Sequence, residues 1–378
     1  MAKRFAGLFV SLVSVFLAGY LFLQVFRSLP IENTPLGLDW RTIWKGIHLG
    51  QVTFGNTEGG IGGMYTPPWG IFFLFPLGFL SFRDSWAIIC FVSLALLIFS
   101  VPKNKGRLDP VGIILLAISF PTLRNFADGN LEGLVAGGVV LVLLGYRSSN
   151  SLMLALGVLL ATIKIQETWL YCLFVLSLVL KNWPATRKLL VFTSIGSVVA
   201  SSMVIWGHGW IRALFVNQGN QFELSSQMGR STLIDISLSA ALARLDAPIW
   251  FIVVIWTLFL GMTLYILVRS RNSQLSWESA TLSISASMLL APYVSGNSFL
   301  TIVVIGIIPM LRQLRFLGIS FLILINLPYL ASTEALIHLQ SYFWSLLLLL
   351  TWGIAGSRVF SQLSRNGPSL AGPPMTDS

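Results

Sequence analysis

The chain of 378 residues is 55% hydrophobic and only 10% charged, with 13 Trp and 26 Phe. Soluble domains carry about 25% charged residues, so an ordinary soluble enzyme is excluded. Two Cys are too few for a disulfide-stapled secreted scaffold, and the net charge of +10 has to be placed along the chain before it implies a nucleic-acid partner.

Thirteen apolar runs follow one another: 7–26, 69–82, 86–101, 111–123, 131–146, 152–163, 169–180, 189–206, 249–268, 280–290, 300–311, 316–330 and 343–355. The pattern predicts an all-α, polytopic integral membrane protein. The first run follows Lys3-Arg4 without a small-residue cleavage site and reads as a retained signal anchor. Thirteen crossings from a cytoplasmic N-terminus place Lys103, Lys105 and Arg107 outside, against the positive-inside rule. If 69–82, interrupted by Pro76, is a re-entrant or interfacial segment, about 12 transmembrane helices remain and both termini are cytoplasmic. The inside then holds 15 bases and 3 acids, net +12, and the outside 9 bases and 11 acids, net −2. The basic excess is therefore topological, and nucleic acid drops out as a partner. No organelle signal is read, so the expected location is the cell membrane, a bacterial plasma membrane, with several passes.

Residues 1–358 are expected to form one integral membrane domain and the Gly-, Pro- and Ser-rich 359–378 a disordered cytoplasmic tail. Two extracytoplasmic loops, 27–68 and 207–248, carry amphipathic stretches (Trp40, Ile43, Trp44, Ile47; Leu233, Ile236, Leu238, Leu242) of the kind that lies among lipid headgroups. Runs 152–163 and 169–180 are too short for a hydrocarbon core of about 30 Å. They meet at Lys164-Ile165-Gln166-Glu167, and runs 111–123 and 131–146 meet similarly around Arg124 to Asn130. Such polar apices need protein or a water-filled cavity around them, which predicts a cavity cut into the membrane from outside.

Asp39 stands beside Trp40 and Arg41 near that surface; it suits a general base, or alternatively the N-cap of a helix beginning at Arg41. Lys164, a costly cation at a membrane-buried apex, suits a functional role, or alternatively a snorkel to headgroups. Arg124, Asp128 and Glu132 flank the other apex. No convincing set of metal ligands assembles, and no cofactor is expected. His48 and His208 are weaker candidates for substrate contact, Cys90 and Cys172 read as packing residues, and the Gly-rich 55–63 lacks the context of a phosphate loop.

Several motifs occur in order: Leu38-Asp39-Trp40 with an amphipathic helix behind it, Tyr65-Thr66-Pro67-Pro68, Gly129-Asn130-Leu131-Glu132, Lys164 with the basic turn Lys181 to Lys188, and Ala291 to Asn297. This series resembles the polyprenyl-phosphate-mannose-dependent mannosyltransferases of glycosyltransferase family 87, within the C superfamily (GT-C). The resemblance implies a GT-C-like fold that transfers a mannose-like hexose or a pentose from a polyprenyl-phosphate donor to an extracytoplasmic glycolipid or glycan acceptor. It implies Asp39 as base, Lys164 and Arg124 at the donor phosphate, and Arg41, Tyr65, Asp128, Asn130, Glu132, Gln166, His208 and Asn297 as substrate contacts. Asn130, Glu132 and Asn297 replace the family's Gln, Asn and His, and the last change removes an imidazole. A transporter or flippase, or a non-catalytic binder of a polyprenyl-linked glycolipid, is the alternative, since broken helices and buried charges also mark transporters.

Overall fold

The computed structural model describes residues 2–29, 36–50, 66–102, 109–207, 209–211, 235–271, 275–327 and 334–365. It is a helical membrane protein. Among the described residues, six segments are long and apolar enough to cross a membrane, or up to seven if one bent pair counts as a span. The helices are α1 (Ala2–Ser28), α2 (Leu38–His48), α3 (Pro68–Leu74), α4 (Phe82–Ser100), α5 (Pro110–Ala117), α6 (Phe120–Asp128), α7 (Glu132–Arg147), α8 (Ser151–Ala161), α9 (Ile165–Asn182) and α10 (Ala185–Trp206). Then come α11 (Leu238–Ala243), α12 (Ile249–Ser270), α13 (Trp277–Leu290), α14 (Gly296–Gln313), α15 (Arg315–Asn326) and α16 (Glu334–Arg365).

Polar breaks, each satisfied locally, shape the bundle. Between α5 and α6 the chain bends by 53° at a Pro-containing first turn, Phe120-Pro121, where a helical hydrogen bond is lost. The Asn326 side chain accepts from the Phe120 backbone N–H at 2.7 Å, as a backbone donor freed inside a bilayer requires. Segment Ser151–Asn182 reverses direction at the 3₁₀ turn Thr162–Lys164. Its two ends lie together: Asn182 donates to the Tyr146 hydroxyl at 3.0 Å, Trp183 stacks on Tyr146, and Ser151 donates to the Arg187 carbonyl. The turn lies at the other end, where Lys164 meets Glu132. It is a hairpin of one short and one long leg. Thr168 closes the break by donating to the Ala161 carbonyl at 2.9 Å. Helices α7 and α8 pack antiparallel at backbone range, since a Cβ on Gly157 would lie 2.5 Å from the Val142 nitrogen. Small residues permit such approach in lipid, where dispersion replaces the hydrophobic drive.

Two ends of the bundle emerge. One gathers the apices Gly129–Asn130 and Lys164 together with α2 and the start of α14. The other gathers Arg147 on the Leu275 carbonyl, Arg312 on Asp109 at 2.8 Å, and Arg358 beside Glu278 and Gln313.

The structure corrects several sequence expectations. Helix α2 begins at Leu38, capped by Gly37 in the left-handed region (φ 67°), so Asp39 lies inside its first turn and is not the N-cap of a helix starting at Arg41. Trp40 is fully buried, and Ile43 and Ile47 pack into the protein rather than into headgroups. Ile236 is likewise buried, because Asp235 forms an antiparallel bridge with Ser295 and accepts from the Ser237 and Val294 nitrogens. Segment 69–82 is a short helix followed by a 3₁₀ turn, Phe75–Phe79. The last helix extends to Arg365, so 359–365 is not a disordered tail; 366–378 lie outside the described residues.

Candidate active site

The site is built on the turn between α6 and α7. Gly129 ends α6 at φ 67°, a conformation glycine adopts without a Cβ clash. A Cβ there would lie 2.7 Å from that of Trp40 and 3.1 Å from the Trp86 indole nitrogen. Trp40 donates to Ser85 Oγ, Trp86 to the Phe126 carbonyl, and the Gly37 N–H to the Ala127 carbonyl at 2.7 Å. These contacts seat the first turn of α2 directly on the turn that carries Asn130.

The consequence is a defined pair. Asn130 Nδ2 donates to Asp39 Oδ2 at 2.7 Å, while Asn130 Oδ1 accepts from the Glu132 backbone N–H. Both ends of the amide are fixed, so Asp39 is held by a group that cannot take its proton. The Asp39 residue is open to solvent yet surrounded by protein on most sides. That crowding pushes its carboxyl above the ordinary range, with Lys164, the Asn130 hydrogen bond and Arg124 pulling down and Asp128 pushing up.

A second cluster lines the rim. Arg124 Nε donates to Asp128 Oδ2 at 2.6 Å, and Asn297 Nδ2 donates to the same oxygen at 3.1 Å. Asp128 thus ties the end of α6 to a residue 169 positions further along the chain. The Arg124 side chain is 55% exposed, so its charge faces the open space.

The third cluster is buried beneath. Lys164 Nζ lies 3.0 Å from Glu132 Oε2 and 3.5 Å from Glu167 Oε1. Thr301 donates to Glu132 Oε1 and Ser298 to Glu167 Oε1, each at 2.5 Å. Lys164 therefore does not snorkel outward; its ammonium is engaged by two carboxylates whose own side chains are almost wholly buried.

Of the sequence candidates, Asp39, Arg124, Asp128, Asn130, Glu132, Lys164 and Asn297 converge. Gln166 is half-buried on the first turn of α9 beside Glu167. Arg41 stands apart, its guanidinium 5.3 Å over the Phe82 ring. His48 bonds the Gly78 carbonyl at 2.7 Å and stacks on Trp44, which ties α2 to the 3₁₀ turn. Cys90 and Cys172 are buried and free. Tyr65, His208 and 55–63 lie outside the described residues. Glu167, Ser298 and Thr301 were not legible as site residues. Glu167 had a signal, since the rule that marks Lys164 as costly in a membrane applies equally to an acid three residues on.

The sequence model of glycosyltransferase family 87 matches residues 64–292, more than half of the chain. The match takes in the α6–α7 turn and the α8–α9 hairpin, whereas Asp39 precedes it and Asn297 to Thr301 follow it. No curated protein and no solved structure is similar enough to align with the chain.

Proposed function

The chain belongs to glycosyltransferase family 87, and on that premise we propose that this membrane glycosyltransferase moves a mannose-like sugar from a polyprenyl-phosphate donor to a glycolipid or glycan acceptor. The observation that carries the reading is Asp39, a solvent-exposed carboxylate held by Asn130 at 2.7 Å, with the exposed Arg124 charge at the same end of the bundle. Sugar transfer from a lipid phosphate breaks the anomeric C–O bond through an oxocarbenium-like state. In this reading Asp39 takes the proton from the acceptor hydroxyl as it attacks the anomeric carbon. Arg124 meets the departing phosphate, where a guanidinium can hydrogen-bond two oxygens at once. Lys164, already ion-paired, supports the site from beneath rather than standing as an open cation. Asp128 and Asn297 supply polar contacts for sugar hydroxyls.

We read the chain as crossing about twelve times, with the shorter apolar helices counted beside the six or seven segments long enough alone, and Asp39 outside. The apices and α2 share one end of the bundle, while Arg147, Arg187, Arg312 and Arg358 collect at the other, as positive-inside topology requires. The test is transfer by purified protein in lipid nanodiscs, using radiolabelled polyprenyl-phosphate mannose and an extracted glycolipid fraction. Labelled glycolipid with release of polyprenyl phosphate is the expected result. Movement of intact donor across a vesicle bilayer without bond cleavage would put the transporter reading in its place.

A further inference from the structure

The buried cluster beneath Asp39 and Arg124 does not balance in charge. It contains one ammonium, Lys164, and two carboxyl groups, Glu132 and Glu167, each held by a hydroxyl of α14. Glu132 is 0% exposed and Glu167 1%, so a net negative charge here would be uncompensated and costly. The two carboxyl groups converge on one ammonium, at 3.0 and 3.5 Å from Lys164 Nζ, an arrangement that repels when both are ionised and is relieved when the pair holds one proton. Glu167 Oε2 is buried and has no hydrogen-bond partner among the described residues, a vacancy that a proton on the pair fills. The groups facing this cluster are Lys164 at the hairpin turn, Ser298 and Thr301 of α14, Asp39 of α2 and Tyr293 before α14. Lys164 is the single cation among them.

We infer that Glu132 and Glu167 share one proton, so that the apex is electrically neutral, and that Glu167 is thereby a positioning residue for the rim. The route is short. Glu167 accepts from Ser298, whose neighbour Asn297 bonds Asp128, which in turn orients Arg124. Glu132 adds a second tether through Thr301, one turn further along α14. A neutral cluster locks α7, α9 and α14 together without placing a net anion beneath the seat of the donor phosphate. The positioning part rests on the sugar-transfer reading; the shared proton does not.

Infrared spectroscopy of the full chain in nanodiscs tests the proton directly. The parent is expected to show the carbonyl stretch of a protonated carboxylic acid. Glu167→Gln and Glu132→Gln should each lose it, because the remaining acid then pairs ionised with Lys164; both variants are near-isosteric and keep the cluster neutral. Absence of any such band in the parent-minus-variant spectra, or its loss in neither variant, overturns the shared proton. For positioning, Glu167→Leu should lower transfer about tenfold or more, and Glu167→Gln, whose amide oxygen still accepts from Ser298, should recover most of it. A Gln variant as poor as Leu, or a Leu variant equal to the parent, overturns the positioning role. A parent chain that transfers no sugar overturns the preceding reading alone, and the spectrum still decides the proton.

Discussion

Asn130 donates to Asp39 across 91 residues of sequence at 2.7 Å, and its other end is fixed on the Glu132 backbone. Asp39 is therefore aimed by a rigid neutral donor and remains available as a proton acceptor. Asp39→Asn keeps size and hydrogen-bonding capacity while removing basicity. Loss of a general base costs roughly 10²–10⁴-fold in rate, so transfer should fall by that much with thermal stability near the parent's. Turnover within about tenfold of the parent would sink Asp39 as the base.

Gly129 has no room for a side chain. Gly129→Ala combines a left-handed φ, which costs a non-glycine residue about 1–3 kcal/mol, with a Cβ 2.7 Å from that of Trp40. The variant should melt at lower temperature and lose activity together, because α2 must shift away from the turn. Full activity at parental stability would show that α2 and the turn move independently.

The acid limb of kcat/KM reports the base in the free enzyme. Crowding raises the Asp39 carboxyl above its ordinary range, an unperturbed Asp being near about 3.9. The reactive form is ionised, so the rate is lost as pH falls through that raised value, and the limb should lie above an ordinary aspartate's. Asp128 raises Asp39 and Arg124 lowers it, so Asp128→Asn should move the limb to lower pH and Arg124→Gln to higher pH. A limb that moves the same way in both would assign it to another group.

Arg124 also carries a prediction for donor binding. Removing one charge-assisted contact costs about 1.5–3 kcal/mol, which is roughly a 10- to 150-fold weaker Kd. Arg124→Gln should therefore weaken binding of polyprenyl-phosphate sugar, measured by equilibrium titration in nanodiscs. Unchanged affinity would move the phosphate seat elsewhere on the rim.

Orientation can be read by thiol labelling against a quiet background, since both native cysteines are buried. A cysteine at Leu245, 67% exposed on the Asp39 end of the bundle, should react with an impermeant reagent in intact cells. One at Arg187 should react only after permeabilisation. The reverse pattern would turn the molecule over and bring Asp39 to the cytoplasm.

Much of the candidate cluster could be read from the sequence because polar residues are costly in an apolar chain. Lys164 at a hairpin apex and the Arg124 to Glu132 turn stood out for that reason, and the motif order tied Asp39 and Asn297 to them. Ser298 and Thr301 did not stand out. Hydroxyls are common in membrane helices and usually bond their own backbone, as Thr193, Ser283 and Thr351 do here. What distinguishes Ser298 and Thr301 is only which carboxylate they reach, a tertiary fact. The start of α2 was misplaced for a related reason. Asp39 has the chemistry of a cap, yet Gly37 takes that position through its φ and its bond to the Ala127 carbonyl.

The order in which synthesis delivers the parts adds one further property. Glu132, Lys164 and Glu167 are made and inserted together, but the hydroxyls that complete them arrive 131 and 169 residues after the acids they serve. Until α14 threads into place, the hairpin has neither its tethers nor Asn297 against Asp128. A growing chain is thus incomplete as a catalyst for most of its biosynthesis, and the candidate site is assembled only once the second half of the protein has joined the first.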